Sequence, residues 1–489
     1  MDSLKTSGAI ERAPAGERHG LSGQRGRRPG WMLAALLGGM FLGNVDIAVV
    51  NVAIPSIRDH LHASSGELEL IVSGYTLAYA MLLITGARLG EIRGRRWTYL
   101  AGLLVFTLSS LACGLAPNSP ALVGSRVVQG IGAALMVSQV LTSIQVHFDG
   151  AARRRALGAY TGVLGASSVI GQALGGVLVS ADIMGTGWRP IFLINVPIGV
   201  VLLAASYAFL PENEILRQKK LDAYGVSLLS LGLFLLVTPL VLGPHAGWPL
   251  WTWMCLAASL PVFALFVRVE RGIALREGDP LMNVALLARK HVALALVSQA
   301  ATRAGYFALL FVLALYLQQG LGKSAFYSGL IPIAWVATFA LVGPALGRAG
   351  ARARMFAAPV GGLLMAVCFA AVAAGAQSTG WLIVLLGVGG IGYGAAFSGT
   401  LAHLTDSVEA RYAPDVSGLF NTTLQVGGTL GVAVFGTVYL NLAARGGAPA
   451  DAFSTTNATL AAVSVAAAML ILVAEKATPG VAQHKTTDR

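Results

Sequence analysis

The stretch Gly43-Asn44-Val45-Asp46-Ile47-Ala48-Val49-Val50-Asn51-Val52-Ala53-Ile54-Pro55 closes an apolar run that begins at Trp31 and reaches Ile57. That run is long enough to cross the roughly 30 Å hydrocarbon layer of a bilayer, for which about 20 apolar residues suffice. Asp46 sits inside it. A charge near the centre of a spanning helix costs on the order of 2.5 to 3.5 kcal/mol on insertion scales, so such an acid marks a function unless a neighbour neutralises it for packing alone.

The rest of the chain is of the same kind. Of its 489 residues 55% are hydrophobic and only 11% charged, and the mean hydropathy is +0.71. Average soluble chains carry about 25% charged residues, so this is a membrane protein. Fourteen apolar runs are long enough to span: about 31–57, 67–87, 97–116, 120–146, 156–180, 190–210, 223–242, 249–268, 292–318, 325–347, 355–375, 380–404, 412–440 and 456–474. An even number puts both ends on one side of the membrane. Of the 34 Lys and Arg residues, Arg58, Arg189, Lys323 and Arg445 fall on one side, Arg126 and Arg303 fall inside spans, and the other 28 share the side of the termini. Cytoplasmic loops carry the excess of Lys and Arg, so both termini are expected in the cytoplasm.

This topology also accounts for the net charge of +12. No basic helix interleaved with aromatics is present, as a nucleic-acid surface would need. Cys113, Cys255 and Cys368 stand singly in apolar runs and form no metal or disulfide pattern. Gly320-Leu321-Gly322-Lys323-Ser324 imitates the end of a phosphate loop, but Leu317 stands where its first glycine belongs and no strand precedes it. ATP is therefore not expected, and an ion gradient must supply the energy. No cofactor and no metal site is expected, nor the clustered ligands or activated nucleophile of an enzyme. His403, near a helix end, reads as a satisfied interface residue.

A weak internal repeat is visible. Gly130-Ile131-Gly132-Ala133-Ala134 is echoed by Gly390-Ile391-Gly392-Tyr393-Gly394-Ala395-Ala396, and Gly171-Gln172-Ala173-Leu174-Gly175-Gly176 by Gly427-Gly428-Thr429-Leu430-Gly431. The offset is eight helices. Two six-helix units with two helices inserted between them fit it, and repeats of this kind are typical of secondary transporters. The expected organisation is a cytoplasmic tail 1–30, a six-helix bundle 31–210, inserted helices 211–270, a cytoplasmic linker 271–290, a second bundle 291–475 and a tail 476–489.

Together these stretches resemble the fourteen-helix drug:proton antiporters of the major facilitator superfamily. Asp46 to Pro55 is similar to the family's Leu-Asp-x-Thr-Val-Val-Asn-Val-Ala-Leu-Pro signature, with Ala48 for its Thr and its Asp and Asn kept. Arg88 to Arg96 resembles the superfamily's Gly-x-Leu-Ala-Asp-Arg-x-Gly-Arg-Arg loop, with Ala87 for its first Gly, Glu91 for its Asp and Ile92 for its first Arg. Arg126, Gln129, Gly130 and Gly132 match the helix 4 signature, while Gln172 replaces the proline of the helix 5 signature Gly-Pro-x-x-Gly-Gly. Ser417 to Gly428 is similar to a pattern of the fourteen-helix branch.

The resemblance implies an all-α integral membrane protein with the major facilitator fold, working as a proton-coupled exporter of small amphipathic drugs or natural products in a bacterial inner membrane, as a monomer in the lipid bilayer. Uptake or exchange of a metabolite is the alternative, and a non-transporting membrane sensor the alternative of another class. The resemblance places Asn51, Tyr75, Gln129, Arg303, Tyr306, Trp335, Asn421 and Gln425 along the substrate cavity. Gly90, Glu91, Arg93, Gly94, Arg95 and Arg96 form the expected cytoplasmic gate, an acid among arginines able to make and break a charge network. Gly171, Gly175 and Gly176 belong to a bare stripe for close helix packing.

At 1.5 Å per residue, Asp46 lies roughly 13 Å, Arg126 roughly 9 Å and Arg303 about 13 Å below the outer face, in one slab. In the superfamily's arrangement helices 1, 4 and 9 line the central cavity, so the three charges are expected to face one another. Lost hydration favours the neutral form of a carboxyl and a nearby arginine its ionised form. Asp46, tuned by Arg126, is accordingly the expected proton carrier. With two arginines against one acid in the interior, a neutral, zwitterionic or anionic substrate is expected, since like charges repel strongly at low dielectric.

Overall fold

The computed structural model describes residues 29–181, 185–212, 222–276, 278, 280–323, 325–375, 379–444 and 448–477. Residues 1–28 and 478–489, most of both expected tails, and the side chain of Asn51 lie outside the described residues. Fourteen spans follow in order: α1 (Pro29–Leu61), α2 (Ser65–Arg93), α3 (Arg95–Gly114), α4 (Ser119–His147), α5 (Gly150–Ser180), α6 (Pro190–Phe209), α7 (Ala223–Ala246), α8 (Leu250–Leu275), α9 (Lys290–Gln318), α10 (Ile333–Arg348), α11 (Ala351–Ala373), α12 (Thr379–Ser407), α13 (Ala413–Ala444) and α14 (Pro449–Lys476). Thirteen of them are long and apolar enough to cross a membrane, and α10 is shorter.

The shortening of α10 has a local cause. Pro332 has no N–H to continue the ladder, so Ala325–Leu330 and Ile333–Arg348 are separate helical pieces. Within α6, Pro197 likewise cannot donate to the carbonyl of Leu193, and the helix breaks at Ile194. Helix starts differ from expectation where small or polar residues extend a helix beyond its apolar run. α5 begins at Gly150 rather than near 156, and α14 at Pro449 rather than near 456. At the start of α2, Ser64 and Glu67 form a capping box, and Glu67 also accepts from Ser119 Oγ at the start of α4 at 2.6 Å. That acid is a helix staple.

Two six-helix bundles result, α1–α6 and α9–α14, and they are built alike. In the first, α4 packs on α2 and α3 while α5 packs on α1; in the second, α12 packs on α10 and α11 while α13 packs on α9. The repeated glycines are what permit it. A Cβ on Gly130 would lie 2.4 Å from the Tyr75 carbonyl oxygen of α2, and one on Gly390 would lie 2.1 Å from that of Trp335 on α10. Two residues on, a Cβ on Gly132 would lie 2.8 Å from the Gly102 carbonyl oxygen of α3, and one on Gly392 2.8 Å from that of Gly361 on α11. The eight-helix offset of the sequence repeat is thus an offset of backbone contacts. The inserted α7 and α8 pack on each other, and α7 also lies against α2 and α13, one helix from each bundle.

The bundles touch through α5 against α10 and α2 against α13. Call the face where α1 begins and α14 ends the base. There the halves are closed on each other: Arg153 donates to the Thr405 carbonyl, Ser417 Oγ donates to the Ser138 carbonyl at 3.1 Å, and Gly158 and Gly343 bring two backbones together.

Candidate functional site

Asp46 is 1% exposed, in the middle of the first bundle. Arg126 Nη1 donates to its Oδ2, and its Oδ1 accepts from Gln129 Nε2 and Asn195 Nδ2, each at 2.9 Å. Four helices supply the groups: Asp46 from α1, Ser110 from α3, Arg126 and Gln129 from α4, and Asn195 from α6. Ser110 Oγ accepts from Gln129 at 2.6 Å and from Asn195 at 3.3 Å. Arg126 also donates to Gln129 Oε1 at 2.7 Å and to the Ile71 carbonyl at 3.1 Å, and its guanidinium lies 4.3 Å from the centre of the Tyr75 ring. Both side chains are thereby paired and hydrogen-bonded, as polar groups in a low-dielectric interior must be.

Spacing explains the assembly. Arg126 and Gln129 are three apart on one helix and so share a face. The break in α6 falls just before Asn195, and Gly171 of α5 closes the outside, where a Cβ would lie 2.9 Å from the Val45 carbonyl next to Asp46. Tyr75 and Gln129, expected along the cavity, are instead sealed into this cluster at 1% and 0% exposure. Sequence reasoning missed Ser110 and Asn195. A polar side chain inside the otherwise apolar stretch Ile191 to Gly199 was the available signal for Asn195.

Arg303 does not join the pair, contrary to expectation. It belongs to the other bundle, where Nη1 donates to the Tyr393 hydroxyl at 2.8 Å and the guanidinium lies 4.4 Å from the Phe307 ring centre. No carboxylate among the described residues pairs with it. It lines a cavity of about 20 Å³ at the seam, with Asn44, Tyr79 and Tyr160 from the first bundle and Asn421 and Gln425 from the second. Tyr160 donates to Asn421 Oδ1 across the seam at 3.3 Å. Such a space holds about one water molecule. Tyr306 and Trp335 are behind it, stacked with Tyr393 and Phe369 inside the second bundle rather than facing the seam.

The loop between α2 and α3 turns on Gly94, at φ +91°, a backbone state suited to glycine. Arg88 pairs with Glu91; Arg96 donates to Glu212 and to the Tyr207 carbonyl, each at 2.7 Å, tying the loop to the end of α6. A Cβ on Gly90 would collide with Gln139 of α4, and Arg93 is exposed. Of the helix 5 glycines, Gly171 is packed as expected and Gly175 is buried, but Gly176 has nothing within 4 Å of an added Cβ. His403 is not satisfied: its Nε2 is buried without a partner. No group of three or more metal-ligating side chains is found among the described residues.

The sequence model of the Major Facilitator Superfamily matches residues 36–432 and 295–486. The chain belongs to the major facilitator superfamily. It is 34% identical over 445 residues to a probable actinorhodin transporter of Streptomyces coelicolor, covering 89% of this chain and 76% of that protein. It is 33% identical over 438 residues to the tetracenomycin C resistance and export protein of Streptomyces glaucescens, covering 87% and 78%. The multidrug resistance protein Stp of Mycobacterium tuberculosis is 31% identical, with 82% and 74% covered. Among solved structures, the human organic anion transporter MFSD10 superposes with a TM-score of 0.64 at 15% identity, over 90% of this chain and 99% of that one. The proton:xylose symporter XylE does so with 0.61 at 14%, over 91% and 94%. These two likenesses speak for the fold alone. As a superfamily member the chain is a multi-pass membrane transporter and not an enzyme; it moves a small molecule across a bilayer without a cofactor.

Proposed function

We propose that this chain exports a small amphipathic molecule, such as an antibiotic or other natural product, from the cytoplasm across a bacterial inner membrane in exchange for protons. The base described above is the cytoplasmic face, as the distribution of Lys and Arg argues. Relatives named for drug resistance and export, each matched over most of its length, support the direction and the kind of cargo.

The observation that carries the coupling is the buried Asp46–Arg126 pair with its Gln129 and Asn195 donors. Asp46 takes a proton from outside. Once neutral it holds Arg126 less tightly, and the polar cluster that fixes α1 against α4 and α6 loosens. The proton leaves toward the cytoplasm when Arg126 returns. The drug binds between the bundles around Arg303, Asn421 and Gln425, a place that the seam as it stands fills almost completely. Drug-sized sites need about 300–1,000 Å³, so cargo enters only when the halves part. Arg303, without an acid partner among the described residues, favours a neutral, zwitterionic or anionic cargo over a dication. One chain suffices, since each element of the site lies within it.

The test is Asp46→Asn in inverted vesicles energised by a pH gradient. Gradient-driven drug movement is lost under this reading; undiminished movement overturns it.

A further inference from the structure

A second cavity, much larger than the one at the seam centre, lies elsewhere. It is a cleft of about 900 Å³ at the base, walled by the start of α5, the end of α10, the start of α11 and the ends of α12 and α14. Its walls carry four cations, Arg153 and Arg154 from the first bundle and Arg354 and Lys476 from the second, against the acids Asp406 and Glu475. Some of this charge is unspent. Arg153 donates to the Thr405 carbonyl and Arg354 to the Ala349 carbonyl, but no described group pairs with Arg154, and the Nε atoms of Arg153 and Arg154 are buried without partners. The remaining wall is mostly apolar, interrupted by Thr161, Ser398, His403 and Ser407, and at its edge Met355 and Phe356 are 54% and 51% exposed.

We infer that this cleft binds an anionic phospholipid of the inner leaflet, its phosphate between Arg154 and Arg354 and its acyl chains along Met355 and Phe356. Three features select this ligand. Guanidiniums that no acid among the described residues neutralises call for a phosphate, which they bind in a fork geometry. The cleft has far more room than a phosphate ion fills, and its apolar edge matches a chain. Basic pockets between helices on the cytoplasmic side are suited to lipid headgroups, and the side is the one proposed above. The two arginines come from different bundles whose backbones touch beside the cleft, where a Cβ on Gly347 would lie 3.0 Å from the Arg154 carbonyl. A lipid held by both therefore clamps the base shut and favours the state in which the cytoplasmic face is closed.

The test reads binding and does not depend on Asp46 or on transport. Thermal unfolding of the full chain in a neutral detergent is followed while phosphatidylglycerol, phosphatidylcholine or inorganic phosphate is added. Phosphatidylglycerol raises the unfolding temperature at concentrations where the other two do not. At about five-fold per cation, Arg154→Gln with Arg354→Gln weakens the apparent affinity about 25-fold. Glu475→Gln, which removes a repelling acid and leaves the arginines in place, tightens it. An equal rise with phosphatidylcholine overturns the inference as general lipid stabilisation, and a rise with inorganic phosphate alone assigns the cleft to a free anion. Should the double variant not fold, unchanged or weaker binding by Glu475→Gln overturns it as well.

Discussion

Arg126 turns one arm of its guanidinium onto Asp46 through the packed centre of the first bundle, and both residues are 1% exposed. Neither charge has water to fall back on. Removing one partner of such a buried pair costs about 3–5 kcal/mol, because the other is left uncompensated, whereas removing both is far milder. Asp46→Asn and Arg126→Gln are each expected to lower stability by about that amount. Asp46→Asn with Arg126→Gln recovers much of the loss while proton-driven transport stays absent. Thermal unfolding in detergent measures the first quantity and vesicle efflux the second. A double variant that is the sum of the two single losses contradicts the pairing.

Asn195 holds the far side of the same carboxylate, donating to Asp46 and to Ser110. Asn195→Leu fills similar space but leaves one carboxylate lone pair and the Ser110 hydroxyl short of a partner. A loss of about 1–3 kcal/mol in stability is expected, with slower proton-driven efflux. Full transport activity in that variant would remove Asn195 from the coupling site.

What the sequence revealed of this site follows from chemistry. Charges inside apolar runs stand out, so Asp46, Arg126 and Arg303 were all legible. Their grouping was only half legible. Depth follows from residue counting, but which way a helix face turns does not, and at equal depth Arg303 faces Tyr393 and the seam while Arg126 faces Asp46. Ser110 and Asn195 hide because single Ser and Asn residues are ordinary in membrane helices, where they often bond to their own backbone. The eight-helix repeat was readable through Gly130 and Gly390, since close approach of two backbones tolerates no side chain. Gly176, in the same run as Gly171, shows the limit: a stripe of glycines does not say which of them is covered.

That contrast is measurable. A Cβ at Gly171 would lie 2.7 Å from the Ala48 Cβ and 2.9 Å from the Val45 carbonyl, and at Gly390 2.1 Å from the Trp335 carbonyl. Backbone cannot swing aside as a flexible side chain can, so helices must separate. Gly171→Ala and Gly390→Ala are expected to lose about 1–3 kcal/mol or more by overpacking. Gly176→Ala meets nothing, and replacing a helical glycine there gains roughly 0.5–1 kcal/mol. Unfolding temperatures of the three variants should fall on opposite sides of the wild type; a Gly176→Ala protein as unstable as Gly171→Ala would contradict the packing.

Arg303 keeps its charge at the seam through Tyr393 and the Phe307 face, partners that hold a guanidinium without neutralising it. An anionic cargo can therefore take its remaining donors when the halves part. A hydrogen bond to a charged group contributes about 1.5–3 kcal/mol, so Arg303→Gln should weaken an anionic cargo about 10- to 150-fold and a neutral one much less. Arg303→Lys keeps the charge but not the fork and should fall between. Tyr393→Phe frees the guanidinium without removing it, so affinity for the anion should hold or rise, and equal losses for anionic and neutral cargo in Arg303→Gln would show that the residue acts through packing alone. Competition binding with a matched acid and amide of one compound distinguishes these outcomes.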